Sequence, residues 1–381
     1  LVALLAARSR DVAGAEDALA EAFRLALEHW PRTGVPDRPE AWLLVAARRH
    51  LGHTTRHDRV RQAAGPALAL LAGIEAEPEE IPDRRLQLLL VCAHPAIDRA
   101  AQAPLMLQTV LGLDSARIAA CFLASPAAMA QRLVRAKARI RDADIRFELP
   151  DAAALPPRLE AVLDAIYAAY GTGWSDLLAD GQGAPGLVGE AIWLARLVVA
   201  LLPEAPEPKG LLALMLHAEA RRPARRDAAG RFVPLSEQDP ARWSRPMQEE
   251  AEALLRLAAR AAVLGRYQLE AAIQSLHRGA RLEGKPRPAE LLALYDLLAR
   301  LSPSAGVLVA RAAAMAEAGH AAAALAELDA LEPRLEGYQP WWAVRARALD
   351  LVGEADAAWS ARHRAAGLSE DPAVREFLLR S

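Results

Sequence analysis

Apolar residues recur at helical spacing along nearly the whole chain. The clearest early case is Val12–Trp30, which follows a suitable N-cap, Asp11, and repeats large apolar side chains every four residues at Leu19, Phe23 and Leu27. Ala, Leu, Arg and Glu dominate the composition, whereas β-branched and aromatic residues are scarce. Pattern and composition together predict an all-α protein.

A pair of short helices is predicted near residue 120. The first begins at Asp114 or Ser115, and the second begins at Ser125, a strong N-cap, with Pro126 in the first helical position. The second helix is rich in Arg and Lys. Two short helices joined by a tight turn, the second of them basic, are typical of a helix-turn-helix.

A recognition helix must present side chains to base edges while its cations hold phosphates. Helical spacing predicts an exposed face that contains Ala127, Ala128, Gln131, Arg132, Arg135 and Arg139. The positions predicted to face the core are Met129, Leu133, Val134 and Ile140. An ordinary solvated basic face is the alternative interpretation.

The stretch "AARRHLGHTTRHDR" (46–59) places His50, His53 and His57 among arginines. A zinc site needs three or four ligands, and neither a cysteine nor a correctly spaced carboxylate completes one nearby. The stretch therefore favours a DNA-facing or solvated helix over a metal site.

The last eighty residues contain a repeat. Gly319 and Gly353 lie 34 residues apart with small residues around both, and Trp342 precedes the second glycine by eleven residues. Thirty-four residues is the tetratricopeptide (TPR) period, so this part is predicted to be TPR-like. The stretch 221–243, by contrast, is rich in proline and is predicted to be irregular.

Composition narrows the functional classes. The chain of 381 residues has a net charge of −2, and residues 1–150 hold 20 Lys/Arg against 18 Asp/Glu, so a globally basic nucleic-acid binder is excluded but a local basic face is not. Only two cysteines occur, and the apolar opening "LVALLAA" is too short for a signal peptide or a membrane span. We expect a cytoplasmic protein. No catalytic or cofactor-binding motif is found, so we expect neither an enzyme nor a bound cofactor or metal.

Several stretches resemble bacterial sigma factors of the extracytoplasmic-function type. They are "AEDALAEAFRLALEHWP", "PEAWLLVAARR" and "ACFLASPAAMAQRLVRAKARIRDADIRFELP". Further stretches, among them "LLALMLHAEARRPARRDAAGR" and "GRYQLEAAIQSLH", resemble the long helical C-terminal extension of one subgroup. The resemblance covers essentially the whole chain.

The resemblance implies a domain order. Residues 1–62 would be sigma region 2, which binds the polymerase clamp and melts the −10 element, and 63–80 would be a linker. Residues 81–146 would be region 4, which reads the −35 element. A junction at 147–157 would lead to a regulatory extension at 158–381.

Spacing and resemblance together give two sets of candidate residues. The candidate DNA-binding residues are Arg48, Arg49, Arg56, Arg59, Ser125, Ala128, Gln131, Arg132, Arg135, Lys137 and Arg139. The candidate polymerase-binding residues are Glu16, Asp17 and Glu21, because an acidic helix complements a basic partner surface. The implied partners are core RNA polymerase, promoter DNA and an unidentified regulator or ligand of the extension, without a membrane.

A second hypothesis stays open. Where the family tends to have Ala-Leu-Asp-Arg, this chain has Leu51-Gly52-His53-Thr54, which weakens the phosphate grip of that helix. Gly52 alone costs the helix about 1 kcal/mol relative to alanine. The alternative is therefore a sigma-derived helical scaffold or ligand-sensing protein that has lost its activity on promoter DNA.

Overall fold

The computed structural model describes residues 1–55, 84–122, 124–148, 150–151, 154–180 and 185–380. Every regular element in these ranges is helical, apart from an isolated antiparallel bridge between Arg226 and Phe232. The prediction of an all-α protein is confirmed. No helix in the described ranges combines the length and apolar character needed to cross a bilayer.

The chain divides into two compact units, residues 1–172 and 173–381. The helices that begin in the first unit are α1 (Val2–Ser9), α2 (Val12–Thr33), α3 (Pro39–Thr55), α4 (Arg85–Cys92), α5 (Arg99–Thr109), α6 (Ser115–Cys121), α7 (Pro126–Asp142) and α8 (Leu155–Asp180). The remaining helices are α9 (Pro185–Leu201), α10 (Pro206–Ala220), α11 (Arg245–Ala259), α12 (Arg266–Glu283), α13 (Pro288–Leu301), α14 (Ala305–Glu317), α15 (Ala321–Leu335), α16 (Gln339–Val352), α17 (Ala355–Leu368) and α18 (Pro372–Arg380).

In the first unit, α2 packs on α3 through small residues. The buried side chains of α2 are Val12, Ala15, Ala18, Ala22 and Ala26. The stripe of larger residues on the same helix points outward, with Phe23 47% and Leu27 77% exposed. Alanine on the inner face lets helices approach closely, so the close packing leaves the bulky stripe outside.

Both sequence segments that resemble sigma regions contribute to this first unit. Helix α1 packs against α4, and α2 packs against α7. At the centre, Cys92 is fully buried beside Thr109, with 3.5 Å between Sγ and Oγ1. Burial raises the pKa of this thiol to about 12, so it is an inert core residue.

The second unit is built around α10, which is buried on nearly all sides. It approaches α12 so closely at Gly210 that a Cβ there would lie 2.6 Å from the backbone nitrogen of Gln268. Glu207 accepts hydrogen bonds from the backbone nitrogens of Tyr267 (3.0 Å) and Gln268 (3.1 Å) at the start of α12. A carboxylate at a helix N-terminus satisfies free N–H groups and suits the helix dipole.

The repeat predicted from the glycine spacing corresponds to two helix pairs, α14–α15 and α16–α17. Gly319 and Gly353 follow the first helix of each pair with φ angles of +90° and +88°, a backbone conformation that favours glycine. Trp341 is fully buried and donates through Nε1 to the carbonyl of Leu328 at 3.0 Å. The stretch 221–243 contains only short 3₁₀ turns, as predicted.

Candidate nucleic-acid interface

Helices α6 and α7 form the predicted pair, and side-chain caps fix both starts. Asp114, rather than Ser115, caps α6, because its Oδ1 accepts from the nitrogens of Ala116 and Arg117 at 2.9 Å. Ser125 Oγ accepts from the nitrogen of Ala128 at 3.3 Å, with Pro126 in the first turn. The predicted start of α7 is confirmed.

One side of α7 is seated in the first unit and the other is open to solvent. The buried residues are Met129, Leu133, Ala136 and Ile140. They recur at i, i+4, i+7 and i+11, which is one face of a helix. Helix α7 packs against α2, α5 and α6.

The prediction that Val134 faces the core is wrong. Its side chain is 68% exposed, because position 134 falls outside the buried series and Ala136 takes the inner place. Val134 therefore lies on the outer face with Gln131 and Arg135, which are both exposed.

The outer face of α7 begins at its capped N-terminus, where Ser125, Ala127 and Ala128 are all exposed. Arg135 is exposed one turn after Gln131, and it makes no hydrogen bond or ion pair to any residue that the structure describes. Small side chains followed by an amide and a cation give a helix end that a polyanion can approach closely.

The other cations of α7 bond within the protein. Arg132 Nη1 donates to the carbonyl of Ala100 at 3.4 Å, and Arg139 Nε donates to the carbonyl of Ala96 at 3.2 Å. Both bonds lie at the surface, where water competes with them, so these side chains can exchange partners at small cost.

Lys137 forms an ion pair that is less exposed to water than these surface bonds. Its Nζ lies 2.5 Å from Glu16 Oε2 of α2, and the two side chains are only 13% and 28% exposed. This ion pair joins one residue assigned to DNA with one assigned to polymerase. A second ion pair, from Arg10 to Asp144 at 2.8 Å, joins the start of α2 to the end of α7.

The predicted acidic surface on α2 is partly neutralised within the helix. Glu21 receives two hydrogen bonds from Arg24, at 2.6 and 2.8 Å, and these bonds lower the pKa of the Glu21 carboxyl. Asp17 is exposed. The i,i+3 spacing of Glu21 and Arg24 is the sequence signal for this pairing. Phe23 and Leu27 are exposed on the same helix, whereas Leu19 is half-buried. Helical spacing alone does not predict that this stripe faces outward.

Helix α3 carries two of the candidate DNA-binding residues. Arg48 is exposed and Arg49 is half-buried. Arg56 and Arg59 lie outside the described residues, as does His57. Trp42, earlier on α3, packs edge-on against Trp30 with 5.5 Å between ring centroids, so the start of α3 is held to the end of α2. The described residues contain no group of three or more side chains suited to hold a metal ion.

The dense basic run at 221–226 is held inside the second unit. Arg226 Nη2 lies 2.7 Å from Asp371, the residue before α18, Arg222 Nε lies 2.8 Å from Glu219, and Arg221 donates to Gln274 at 2.7 Å. These bonds tie the irregular stretch to the helices around it.

Comparison with known proteins places the chain among uncharacterised relatives. Residues 158–259, which include most of α8 and all of α10 and α11, match a family of unknown function (DUF6596). No solved structure matches the chain. The uncharacterized protein R00370 of Rhizobium meliloti (strain 1021) is 39% identical over 373 residues, which cover 96% of this chain and 88% of that protein. This likeness extends over both units, and the chain belongs to the same family as R00370.

Proposed function

We propose that the protein is a sigma-type transcription factor that directs RNA polymerase to a class of promoters. The observation that carries the proposal is the shape of α7. Its capped N-terminal half exposes Ala127, Ala128, Gln131 and Arg135, while the opposite face is buried. A recognition helix needs one face buried against its own domain and the opposite face exposed to the DNA.

In this proposal the residues of α7 have different tasks. Gln131 has the side chain for a bidentate contact to adenine, and Arg135 is placed to contact guanine or a phosphate. The free N–H groups at the helix start suit a phosphate. Arg132 and Arg139 can join once they leave their carbonyl partners. Lys137 is left out of this set because it is paired with Glu16.

Helix α2 supplies the surface for the polymerase in this proposal. An exposed apolar stripe at Phe23 and Leu27, on a helix that also exposes the carboxylate of Asp17, offers the apolar and charged groups of a protein interface. Phe23 and Leu27 lie one helical turn apart and together form a small continuous apolar patch, which supports a partner there.

The direct test is transcription of genomic DNA from the source organism by its core RNA polymerase, with and without the purified protein. Mapping RNA 5′ ends should show new start sites that share upstream sequence elements. Absence of new start sites, under conditions where the polymerase is active with another sigma factor, would refute the proposal.

The role of α7 is tested by Arg135→Ala and Gln131→Ala, with Arg141→Ala as the matched control. Arg141 lies at the C-terminal end of α7, away from its capped start, and is paired with Asp142. Arg135→Ala should weaken binding to the DNA of the mapped start sites and reduce the slope of log K against log salt by about 0.9, the value for one phosphate contact. Arg141→Ala should leave both unchanged. Equal effects of the two arginine variants would remove the assignment.

A second function is favoured by one observation. The Lys137–Glu16 pair uses a residue from each of the two predicted binding surfaces and holds α2 against α7. A protein derived from a sigma factor but retained as a helical scaffold or ligand sensor would keep such contacts. Under this alternative the transcription assay gives no new start sites while the second unit still binds a ligand.

A further inference from the structure

The second unit contains a cleft of about 950 Å³. It is formed by the loop at Pro234–Glu237 together with residues of α12, α13, α16 and α18. Its volume is at the upper end of the range for small-molecule sites, roughly 300–1,000 Å³. Its apolar lining includes Leu276, Leu291, Phe377 and Leu378.

Four arginines line the cleft, and three of them are neutralised by carboxylates of the same unit. The neutralised pairs are Arg287–Glu283, Arg347–Glu317 and Arg362–Asp350. These three cations have their charge matched already, so they add little net attraction for an anion.

Arg281 is the exception. It forms no ion pair with any carboxylate in the described part of the chain. Its Nη2 donates to the backbone carbonyl of Gln238 at 2.7 Å. Its Nε is shut off from solvent without a hydrogen-bond partner, and no bond from Nη1 to a described residue is found. A guanidinium that has lost water from one nitrogen and gained only one bond is poorly solvated, so a negative partner stabilises it.

His277 lies one helical turn before Arg281 and lines the same cleft. Burial, and then the nearby charge of Arg221, lower the pKa of His277 to about 4. The imidazole is therefore neutral at pH 7. It offers a hydrogen bond in the cleft without adding a second positive charge.

We propose that this cleft binds a small organic monoanion, an apolar body that ends in a carboxylate, with the carboxylate on Arg281 and the body against Leu276, Leu291 and Phe377. The planar fork of a guanidinium matches a carboxylate in geometry. The apolar lining removes the body of the ligand from water.

The charges of the cleft select against more highly charged ligands. Glu237, Glu317 and Asp350 line it together with the arginines. Glu317 and Asp350 are matched by Arg347 and Arg362, so a dianion or an acidic peptide would bring its further negative charges towards Glu237 without a second unmatched cation among the lining residues to meet them. A single terminal charge avoids this repulsion. The site is independent of DNA binding by α7.

Isothermal titration calorimetry on the full chain tests the proposal with three matched probes. They are 4-phenylbutanoate, 4-phenylbutanamide and 4-phenylbutylamine, which share a body and differ in charge. We expect the carboxylate to bind with a Kd at least tenfold lower than the amide, and the amine to bind most weakly. Tenfold corresponds to about 1.4 kcal/mol.

Arg281→Met should abolish the preference for the carboxylate, and Arg281→Lys should keep part of it. Arg245→Met is the matched control, because Arg245 is exposed and does not line the cleft. Equal binding of the three probes to the wild-type protein would overturn the proposal without any variant. Retention of the full preference by a folded Arg281→Met protein would also overturn it. Binding of hexaglutamate that is tighter than that of 4-phenylbutanoate and depends on Arg281 would overturn the proposal of a small monoanion. That result would identify an acidic peptide as the ligand class.

Discussion

Lys137 lies on the helix that spacing and resemblance assign to DNA, yet its ammonium group bonds to Glu16 of α2. The contact is partly buried, so removing one partner leaves the other poorly solvated. Sequence could not reveal this pair, because the two residues are 121 positions apart. Charge type and helical face are local properties, whereas the partner depends on how α2 and α7 come together.

A double-mutant cycle measures this pair. Glu16→Gln, Lys137→Met and the combined variant should give a coupling free energy of about 1 kcal/mol, because the partners are partly shielded from water. Urea denaturation of the first unit is the measurement. Arg10→Met with Asp144→Asn, at a more exposed pair, should give a smaller coupling. A coupling of zero for Glu16 and Lys137 would mean that the two side chains are apart in solution.

Gly210 is a second residue whose importance depends on a distant segment. Gly210→Ala should destabilise the second unit by about 1–3 kcal/mol, because the new methyl group would lie 2.6 Å from the backbone of α12. Gly279→Ala is the control. Gly279 is also helical, but a Cβ there meets nothing within 4 Å, so alanine should stabilise by about 0.4–1 kcal/mol. Thermal and urea unfolding measure the change in stability of both glycine variants. A neutral Gly210→Ala would contradict the close approach of α10 and α12.

At the scale of elements, α7 shows what local sequence can and cannot predict. Its start follows from Ser125 and Pro126, since capping is a property of adjacent residues. Three of the four predicted core residues, Met129, Leu133 and Ile140, are buried. Val134 is exposed because hydrophobicity alone does not show which of two neighbouring apolar residues faces the core.

Helix α2 shows a different limit. Its bounds are close to the prediction, and it ends at Thr33 rather than Trp30. Its two apolar stripes, one of alanines and one of larger residues, have the same periodicity. Bulk suggests that Phe23 and Leu27 are the core side, but a close contact with α3 requires the alanines. Only the packing distance between the helices decides which stripe is buried.

The exposed stripe yields a prediction for α2. Phe23→Ser with Leu27→Ser should lower the free energy of unfolding by no more than about 1 kcal/mol, because Leu27 is 77% and Phe23 47% exposed and only part of their apolar surface is buried. Capture of core RNA polymerase by the variant should fall at least tenfold if this stripe is the docking surface. Pull-down with purified core enzyme and urea denaturation are the two measurements.

Val263→Ser with Leu264→Ser provides the control, because these residues are also exposed and apolar but lie outside α2. This variant should capture polymerase as the wild type does. Unchanged capture by the α2 variant would exclude the stripe as a docking surface. A loss of stability of 2 kcal/mol or more would instead show that the stripe is buried in solution.

For the whole molecule, the all-α class and the paired helices of the C-terminal part follow from composition and from the 34-residue spacing. The position at which the chain divides into two units does not follow from either property. Proline-rich sequence at 147–157 predicts a junction, but Pro156 and Pro157 stand in the first turn of α8, where proline is tolerated. The compact units divide between Thr172 and Gly173, within α8, and the junction at 147–157 stays a prediction. Proline marks both helix starts and linkers, so its presence does not distinguish them.

The second unit holds two histidines with strongly lowered pKa values, and this predicts its response to acid. Burial, with the charges of Arg221 and Arg278, lowers the pKa of His217 to about 3, and the pKa of His277 is about 4. Both are below the ordinary value of about 6.5, so the unfolded chain binds these protons more readily than the folded unit. Stability should therefore fall as pH drops below about 6.5, by up to about 1.4 kcal/mol per pH unit for each histidine.

Hydrogen exchange measured by peptide between pH 7 and pH 4.5 should show loss of protection around α10 and α12. His217→Gln should flatten this dependence, because the amide side chain takes up no proton in that range. Glu252, whose Oε1 lies 3.6 Å from His217 Nε2, is the one carboxylate placed to offset protonation among the described residues, and Glu252→Gln should steepen the dependence. His320→Gln, at an exposed histidine, should leave the dependence unchanged. An equal loss of protection in the wild type and in His217→Gln would show that carboxylates, not this imidazole, control the acid response of the unit.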